Sequence, residues 1–98
     1  MKQDYQFFIY ILASDSWVLY IGMTNNLVRR IQEHREWFIE GFTKKYKCYK
    51  LVYFESTKYV HNAINREKEL KHFLRKEKVD LIESMNPWWK DLYQEILI

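Results

Sequence analysis

The sequence predicts a small α+β domain with the element order β-β-α-β-α-α. Two observations support this fold class: three short runs rich in β-branched and aromatic residues, and later segments whose apolar residues recur with helical spacing. The chain has 98 residues, of which 48% are hydrophobic. This length suffices for one core but not for two, so we expect a single α+β sandwich with no internal linker.

The first two predicted strands form a hairpin. Residues 7–13 and 17–21 are rich in β-branched, leucine and aromatic residues, and the turn-forming Ser14-Asp15-Ser16 lies between them. If the hairpin is centred on Asp15, Tyr10 pairs directly with Tyr20, and both hydroxyls lie on one face of the sheet. Two strand tyrosines are, however, most often core or interface residues.

A first helix is predicted over residues 27–40. Asn25 or Asn26 can cap its start, and Gly41 stands where a C-cap is expected. Its apolar positions follow a helical period and are Leu27, Ile31 and Phe38.

Residues 51–54 form the third predicted strand, and two helices follow it. Ser56 and Thr57 can cap the first of these, which continues to about residue 75. Its apolar stripe consists of Val60, Ala63, Ile64, Leu70 and Leu74. The second covers residues 78–85 and ends before Pro87, since the residue before a proline is disfavoured in the α conformation. Residues 88–96 are predicted to form a last amphipathic turn or helix.

The net charge of +3 is unevenly distributed along the chain. Residues 1–78 carry 15 basic and 9 acidic side chains, whereas residues 79–98 carry 1 and 4. We therefore expect a polyanion to meet the first part, where lysines interleave with tyrosines, although a solvated loop explains this stretch equally well. The lysines of this stretch are Lys44, Lys45, Lys47 and Lys50.

The chain has one cysteine, Cys48, which excludes an internal disulfide and a paired-cysteine zinc or redox site. A reducing cytoplasm fits this composition. No stretch approaches the roughly 20 apolar residues needed to span a bilayer, so we expect no membrane segment.

Several chemically active residues lie near the predicted junction between the hairpin and the first helix. Gly22 would let the backbone approach an anion at the helix N-terminus. Arg29 and Arg30 enter the helix, and His34 follows Arg30 by four residues, which places these two on one face. Taken alone, Arg29 or His34 is most simply a solvated surface residue.

Glu67 is unusual because it falls within the apolar stripe of the second predicted helix. A carboxylate beside a core usually pairs with a base or binds a cation. Lys71, four residues later, offers a structural ion pair. Alternatively, a single carboxylate with waters and phosphate oxygens can hold Mg²⁺.

Together these residues resemble the GIY-YIG nuclease superfamily. The resemblance rests on Phe8-Ile9-Tyr10 and Tyr20-Ile21-Gly22, with nine residues between the tyrosines, followed by Arg30, His34 and the Ala63-x-x-x-Glu67 helix. It covers about residues 5–92. The small stand-alone bacterial members, related to the N-terminal nuclease domain of the bacterial excinuclease, are most similar because they share an ending like Asn86-Pro87-Trp88. Phe8 departs from the glycine of the first family motif.

The resemblance implies a three-stranded antiparallel sheet flanked by helices, and an endonuclease that hydrolyses nucleic acid with one Mg²⁺ or Mn²⁺ ion. DNA is favoured over RNA, and DNA repair or processing is the expected setting. By position, Tyr10 and Tyr20 match the family tyrosines, Arg30 its arginine, His34 its helix histidine, and Glu67 its metal ligand. One tyrosine is expected to take a proton from water, with a slight preference for Tyr10. The residues expected to contact nucleic acid are Gly22, Arg29, Lys44, Lys45, Lys47 and Lys71.

Two alternatives stay open. In the first alternative, the chain is a nucleic-acid-binding module that keeps the nuclease fold but cleaves poorly or not at all. Its filled catalytic positions argue against this alternative. In the second alternative, residues 88–98 form a docking surface for a protein partner or for a second copy of the chain. The simpler interpretation is that the apolar side chains of this segment pack on their own core; they are Trp88, Trp89, Leu92 and Ile96.

Overall fold

The computed structural model describes residues 6–36 and 41–97, and an antiparallel sheet of three strands lies at its centre. The strands are β1 (Phe7–Ala13), β2 (Leu19–Thr24) and β3 (Lys50–Thr57), in the order β2-β1-β3. The helices are α1 (Leu27–Arg35), α2 (Phe42–Tyr46), α3 (Val60–His72), α4 (Arg75–Met85) and α5 (Tyr93–Ile96). The predicted α+β class and sheet are confirmed. The short helix α2 is not predicted from the sequence; it lies within the stretch that we expected to be a lysine-rich loop.

Helices cover both faces of the sheet. On one face, Ile9 and Ile11 of β1 pack with Leu70 of α3 and Ile82 of α4. The other face carries a second buried cluster with residues of α1 and of the C-terminal segment: Tyr10, Leu12, Leu27, Ile31, Cys48, Leu51 and Leu92. Because successive side chains of a strand point to opposite faces, the central strand is apolar at every position. No helix in the part of the chain that the structure describes is long and apolar enough to cross a membrane.

The hairpin register differs from the prediction. Tyr10 pairs with Gly22 and Tyr20 pairs with Leu12, so the expected direct pairing of the two tyrosines is wrong. The reason is a three-residue loop after Ser14, closed by a 3.0 Å hydrogen bond in which the Ser14 N–H donates to the Val18 carbonyl, and this loop moves the centre of the hairpin to residue 16. The observed register differs from the predicted one by two residues. Because this shift is even, the two tyrosines still lie on one face of the sheet.

Helix α1 begins as predicted but ends earlier. Asn26 caps it, with its Oδ1 accepting from the Arg29 N–H at 3.1 Å. The helix ends at Arg35 because Glu36 leaves the helical conformation, with ψ near 2°. Phe38 and Glu40 lie outside the described residues. Gly41 does not cap α1: it adopts a φ of 106° just before α2, and its carbonyl accepts from the Lys45 N–H.

The second predicted helix is divided in two. Phe73 is extended, with φ −61° and ψ 143°, and α3 therefore ends at His72 instead of continuing to residue 75. Leu74 begins α4 instead, with its N–H donating to Glu77 Oε1 at 2.7 Å, and is 72% exposed. Leu74 and Val60 are thus wrongly assigned to the core, whereas Ala63 and Leu70 are fully buried. Helix α4 ends at Met85, before Asn86-Pro87, as predicted.

The segment after α4 covers the outer edge of β3. The Leu92 N–H donates to the Leu51 carbonyl at 2.8 Å, and Asp91 Oδ1 accepts from the Leu51 N–H at 3.2 Å. Asn86 Nδ2 donates to the Val52 carbonyl at 3.1 Å. Leu92 is buried, as the packing interpretation of this segment requires. Among the described residues no strand pairs with the outer edge of β2, which is therefore the open edge of the sheet.

Candidate active site

The two tyrosines lie on the sheet face that α1 covers. Their ring centroids are 6.2 Å apart. Tyr10 is 1% exposed, whereas Tyr20, on the edge strand, is half-buried. The Tyr10 ring lies over Gly22, where a Cβ atom would come within 2.4 Å of the Tyr10 hydroxyl oxygen. The space beside the Gly22 backbone, which was predicted to admit an anion, is therefore filled by the phenol of Tyr10. The phenol crosses β2 at Gly22, the one residue of that strand without a side chain.

His34 is the hydrogen-bond partner of Tyr10. It lies on the buried face of α1, at i+3 from Ile31, and is 1% exposed. The Tyr10 hydroxyl oxygen is 2.9 Å from His34 Nε2, and the ring centroids of His34 and Tyr20 are 5.4 Å apart. The interpretation of His34 as a solvated surface residue is wrong, since Leu27, Ile31 and His34 form one buried helical stripe.

Burial changes the proton affinities of this pair. Desolvation, followed by the neighbouring Tyr20, raises the pKa of the Tyr10 phenol well above its usual range. Desolvation, helped by the positive charge of Arg30, lowers the pKa of His34 to about 4. At neutral pH the phenol therefore keeps its proton and the imidazole is neutral, and which of the two groups donates in their 2.9 Å hydrogen bond depends on the imidazole tautomer.

Arg30 lies on the side of α1 that faces this pair. Its positive charge lowers the pKa of His34 and opposes the rise in the pKa of Tyr10, as expected for an arginine near both groups. Arg30 Nε is 3.8 Å from Glu33 Oε1, and its side chain is 38% exposed. Arg29 points away into solvent and forms a longer contact of 3.9 Å with the same carboxylate. Arg30 is thus positioned to meet a phosphate beside the tyrosines.

Glu67 approaches the site from the opposite face of the sheet. Helix α3 packs chiefly on β2 and β1, and the Glu67 side chain is 24% exposed beside the buried Ala63 and Leu70. Its Oε1 is 3.6 Å from Lys71 Nζ, so the ion pair considered from the sequence is present. The negative charge of Glu67 is also one of the smaller causes of the raised pKa of Tyr10.

A pocket of about 230 Å³ opens at the edge of β2. Tyr20 and its neighbours on β2 line one side, and Lys71 of α3 and Lys78 of α4 line the other. Tyr20, Lys71 and Lys78 thus all border this pocket, and Glu67 lies one helical turn before Lys71 in α3. Lys78 was not singled out from the sequence. No local pattern identifies it, because it joins the site only after the chain breaks between α3 and α4.

The donor set fits a weakly held, hard cation. Within residues 6–36 and 41–97, no three His, Cys, Asp or Glu side chains lie close enough to hold a metal ion together. Glu67 therefore offers a single carboxylate, which suits Mg²⁺ or Mn²⁺ because such ions keep several waters and take further oxygens from a substrate phosphate. A structural zinc site would need four protein ligands and does not fit.

The predicted lysine-rich stretch lies elsewhere on the surface. Lys44 and Lys45 are exposed on α2, and Lys47 follows it with a φ of 58°. None of these three is among the described residues that line the pocket at β2. The structure therefore separates them from Lys71, and their contact with nucleic acid stays a prediction.

Comparisons with known proteins agree with this architecture. The model of the GIY-YIG catalytic domain matches residues 6–80. A UPF0213 protein of Clostridium perfringens is 38% identical over 77 residues, covering 79% of this chain and 83% of the relative. A UPF0213 protein of Syntrophus aciditrophicus is 35% identical over 81 residues, covering 82% and 92%. The solution structure of a UPF0213 protein from Bacillus halodurans superimposes with a TM-score of 0.58 over 88% of this chain and 92% of that one, at 24% identity.

Proposed function

Because this chain belongs to the GIY-YIG catalytic-domain family, we propose that it is a metal-dependent endonuclease that hydrolyses nucleic-acid phosphodiester bonds at the edge of β2. The observation that carries this proposal is the pocket where Tyr20 meets Lys71 and Lys78, beside Glu67. Phosphodiester hydrolysis needs a base for the attacking water and positive charge at the phosphate, and these residues offer both. The likeness to the excinuclease nuclease domain supports DNA as the substrate, and repair or processing as the setting.

We assign the role of general base to Tyr20 rather than to Tyr10. Tyr10 is buried, its hydroxyl is hydrogen-bonded to His34, and its raised pKa opposes loss of the proton. Tyr20 is half-buried on the edge strand and is one of the residues that line the open pocket. Lys71 and Lys78 line the same pocket and supply positive charge there. In this arrangement Tyr10 and His34 are positioning residues, because their contacts fix the sheet face that carries Tyr20.

In the proposed reaction, the Tyr20 phenolate takes a proton from the water while the water oxygen bonds to phosphorus, the bond from phosphorus to the leaving oxygen breaks, and the leaving oxygen takes a proton from solvent. Arg30 and Lys71 pair with the non-bridging phosphate oxygens, whose charge grows in the transition state. Glu67 is the residue that would hold a divalent ion. Such an ion, when bound, supplies further charge neutralisation at the phosphate.

The test combines a substrate survey with tyrosine variants. The purified protein is incubated with supercoiled, single-stranded and branched DNA and with RNA, in Mg²⁺ or EDTA. We expect cleavage only with the metal, and Tyr20→Phe should lower turnover by roughly 100-fold or more while the thermal midpoint stays unchanged. Tyr59→Phe is the matched control, because Tyr59 is an exposed tyrosine at the start of α3.

Two outcomes would contradict the proposal. Wild-type turnover in Tyr20→Phe would show that this phenol does no proton chemistry. Nucleic-acid binding without cleavage of any substrate in Mg²⁺ would instead favour the binding module.

A further inference from the structure

Two tryptophans form an aromatic pair at the surface near the hairpin loop. Trp17 of the loop and Trp89 of the C-terminal segment have ring centroids 4.9 Å apart and planes at 79°. Trp89 packs against the core and its Nε1 donates to Glu83 Oε2 at 2.9 Å, which fixes its ring. Trp17 keeps 45% of its surface exposed. The Trp17 ring is therefore exposed to solvent and is held in place by its contact with the fixed ring of Trp89.

The backbone at both tryptophans is energetically unfavourable. Trp17 has a φ of 66° and Trp89 a φ of 56°, and within the described ranges Lys47 is the other non-glycine residue with positive φ. Bulky residues rarely adopt this conformation, which costs about 1–2 kcal/mol, and glycine or asparagine would adopt it more easily. A large ring kept at such a position, and kept partly in water, is typical of a binding surface rather than of a core.

Cations surround this ring. Lys50 Nζ lies 5.5 Å from the Trp17 ring centroid, and the Arg75 guanidinium donates to the Trp17 carbonyl at 2.7 Å. Lys50 is also 3.3 Å from the exposed Asp15 carboxylate, which orients its ammonium group, and its side chain is 25% exposed. An exposed aromatic ring with adjacent cations is the combination that binds unpaired nucleotides, because bases stack on the ring while phosphates meet the charges.

The tryptophan pair is connected to the proposed active site. Arg75 and Lys78 are three residues apart on α4 and so lie on the same side of the helix; Arg75 contacts Trp17, and Lys78 lines the pocket with Tyr20. Trp17 and Tyr20 are three residues apart in the chain, at most about 10 Å. This span corresponds to about three stacked nucleotides of one strand at 3.4 Å each.

We propose that Trp17, supported by Trp89, stacks an unpaired base of the strand whose phosphate lies at Tyr20, about two to three nucleotides away. The preferred substrate class is then nucleic acid with unpaired nucleotides next to the cleaved bond, such as a flap, an overhang or a single strand. This inference rests on the proposed nuclease function and adds the substrate structure to it.

The experiment measures binding in EDTA, where no cleavage is expected, by fluorescence anisotropy. The probes are a blunt duplex and the same duplex with a three-nucleotide single-stranded extension. We expect the wild-type protein to bind the extended duplex roughly tenfold more tightly. Trp17→Leu keeps an apolar side chain against Trp89 but has no ring to stack on, so it should lose this preference and keep blunt-duplex affinity. Trp17→Phe retains a smaller ring and should retain part of the preference.

Tyr59→Ala serves as the control, because it removes an exposed aromatic ring at the opposite end of α3 and should leave the preference intact. Equal preference for the extended duplex in wild type, Trp17→Leu and Trp17→Phe would overturn the inference while leaving the nuclease proposal standing. If the wild-type protein binds neither probe, both fail. A concentration-dependent dimer in sedimentation experiments, dissociated by Trp17→Leu, would show that the ring serves a second copy of the chain instead.

Discussion

Acidification should place a positive charge on the buried imidazole of His34 and destabilise the folded protein. His34 is fully buried, and its Nε2 shares a 2.9 Å hydrogen bond with the Tyr10 hydroxyl. Burial lowers the pKa of His34 to about 4 in the folded state, whereas an unfolded chain protonates its histidines near pH 6.5. The contribution of neutral His34 to stability is therefore complete above about pH 6.5 and is lost as the pH falls towards 4.

The size of this effect follows from the two pKa values. Each pH unit between them costs about 1.4 kcal/mol, because the unfolded state binds one more proton than the folded state. Between pH 7 and pH 5 the loss from this one group amounts to about 2 kcal/mol. For a domain of this size, such a loss lowers the thermal midpoint by about 8–16 °C.

The assay is urea denaturation at pH 7 and pH 5 for the wild-type protein, His34→Gln and His61→Gln. Glutamine at position 34 still offers an acceptor to Tyr10 but does not titrate, so this variant should lose about 2 kcal/mol less than the wild type over the same interval. His61 is exposed on α3, and His61→Gln should behave like the wild type. Carboxylates titrate alike in all three proteins and cancel in the comparison. Equal losses in wild type and His34→Gln would refute the argument.

Three further predictions concern the site and its surroundings. Gly22→Ala places a Cβ atom 2.4 Å from the Tyr10 hydroxyl and should cost about 1–3 kcal/mol in urea denaturation; unchanged stability would mean that the phenol moves aside freely. Glu67→Gln should abolish Mg²⁺-dependent cleavage, preserve nucleic-acid binding, and change stability by about 1 kcal/mol or less, since its ion pair is 3.6 Å long and partly solvated. Melting curves with and without Mg²⁺ check this, and a larger loss, restored by a compensating Lys71→Met, would favour a structural pair. The last change replaces three lysines in and just after α2 with alanine, namely Lys44, Lys45 and Lys47. This should reduce the slope of log K against log salt by about 0.9 per lost contact on duplex DNA, and an unchanged slope would exclude these lysines from the interface.

The sequence predicts the shared face of the tyrosines better than their register. Side chains alternate along a strand, so any even error in the pairing preserves the face, and Tyr10 and Tyr20 remain neighbours. The register itself depends on a three-residue loop that ends in the left-handed conformation. A glycine or asparagine would have indicated that loop, but this chain has Trp17 there.

Other parts of the site depend on contacts between distant residues, which local patterns do not contain. The burial of His34 could be predicted in part from its spacing after Leu27 and Ile31, but its partner is 24 residues earlier on β1. The break at Phe73 carries neither glycine nor proline, and without it Leu74 continues an apolar stripe. Lys78 joins the site only through that break.

The cover that residues 86–92 place on β3 has a consequence for folding and solubility. Until these residues have been synthesised and have docked, Leu51 and Val52 present unpaired backbone groups at the edge of a strongly apolar sheet, and such edges are where chains pair with one another and aggregate. Arg35 holds the cover through its 2.6 Å ion pair with Asp91, and its guanidinium lies 4.6 Å from the Tyr93 ring centroid. Loss of these contacts would therefore appear first as inclusion bodies and poor yield during expression, with the pocket at the opposite edge intact in the molecules that fold.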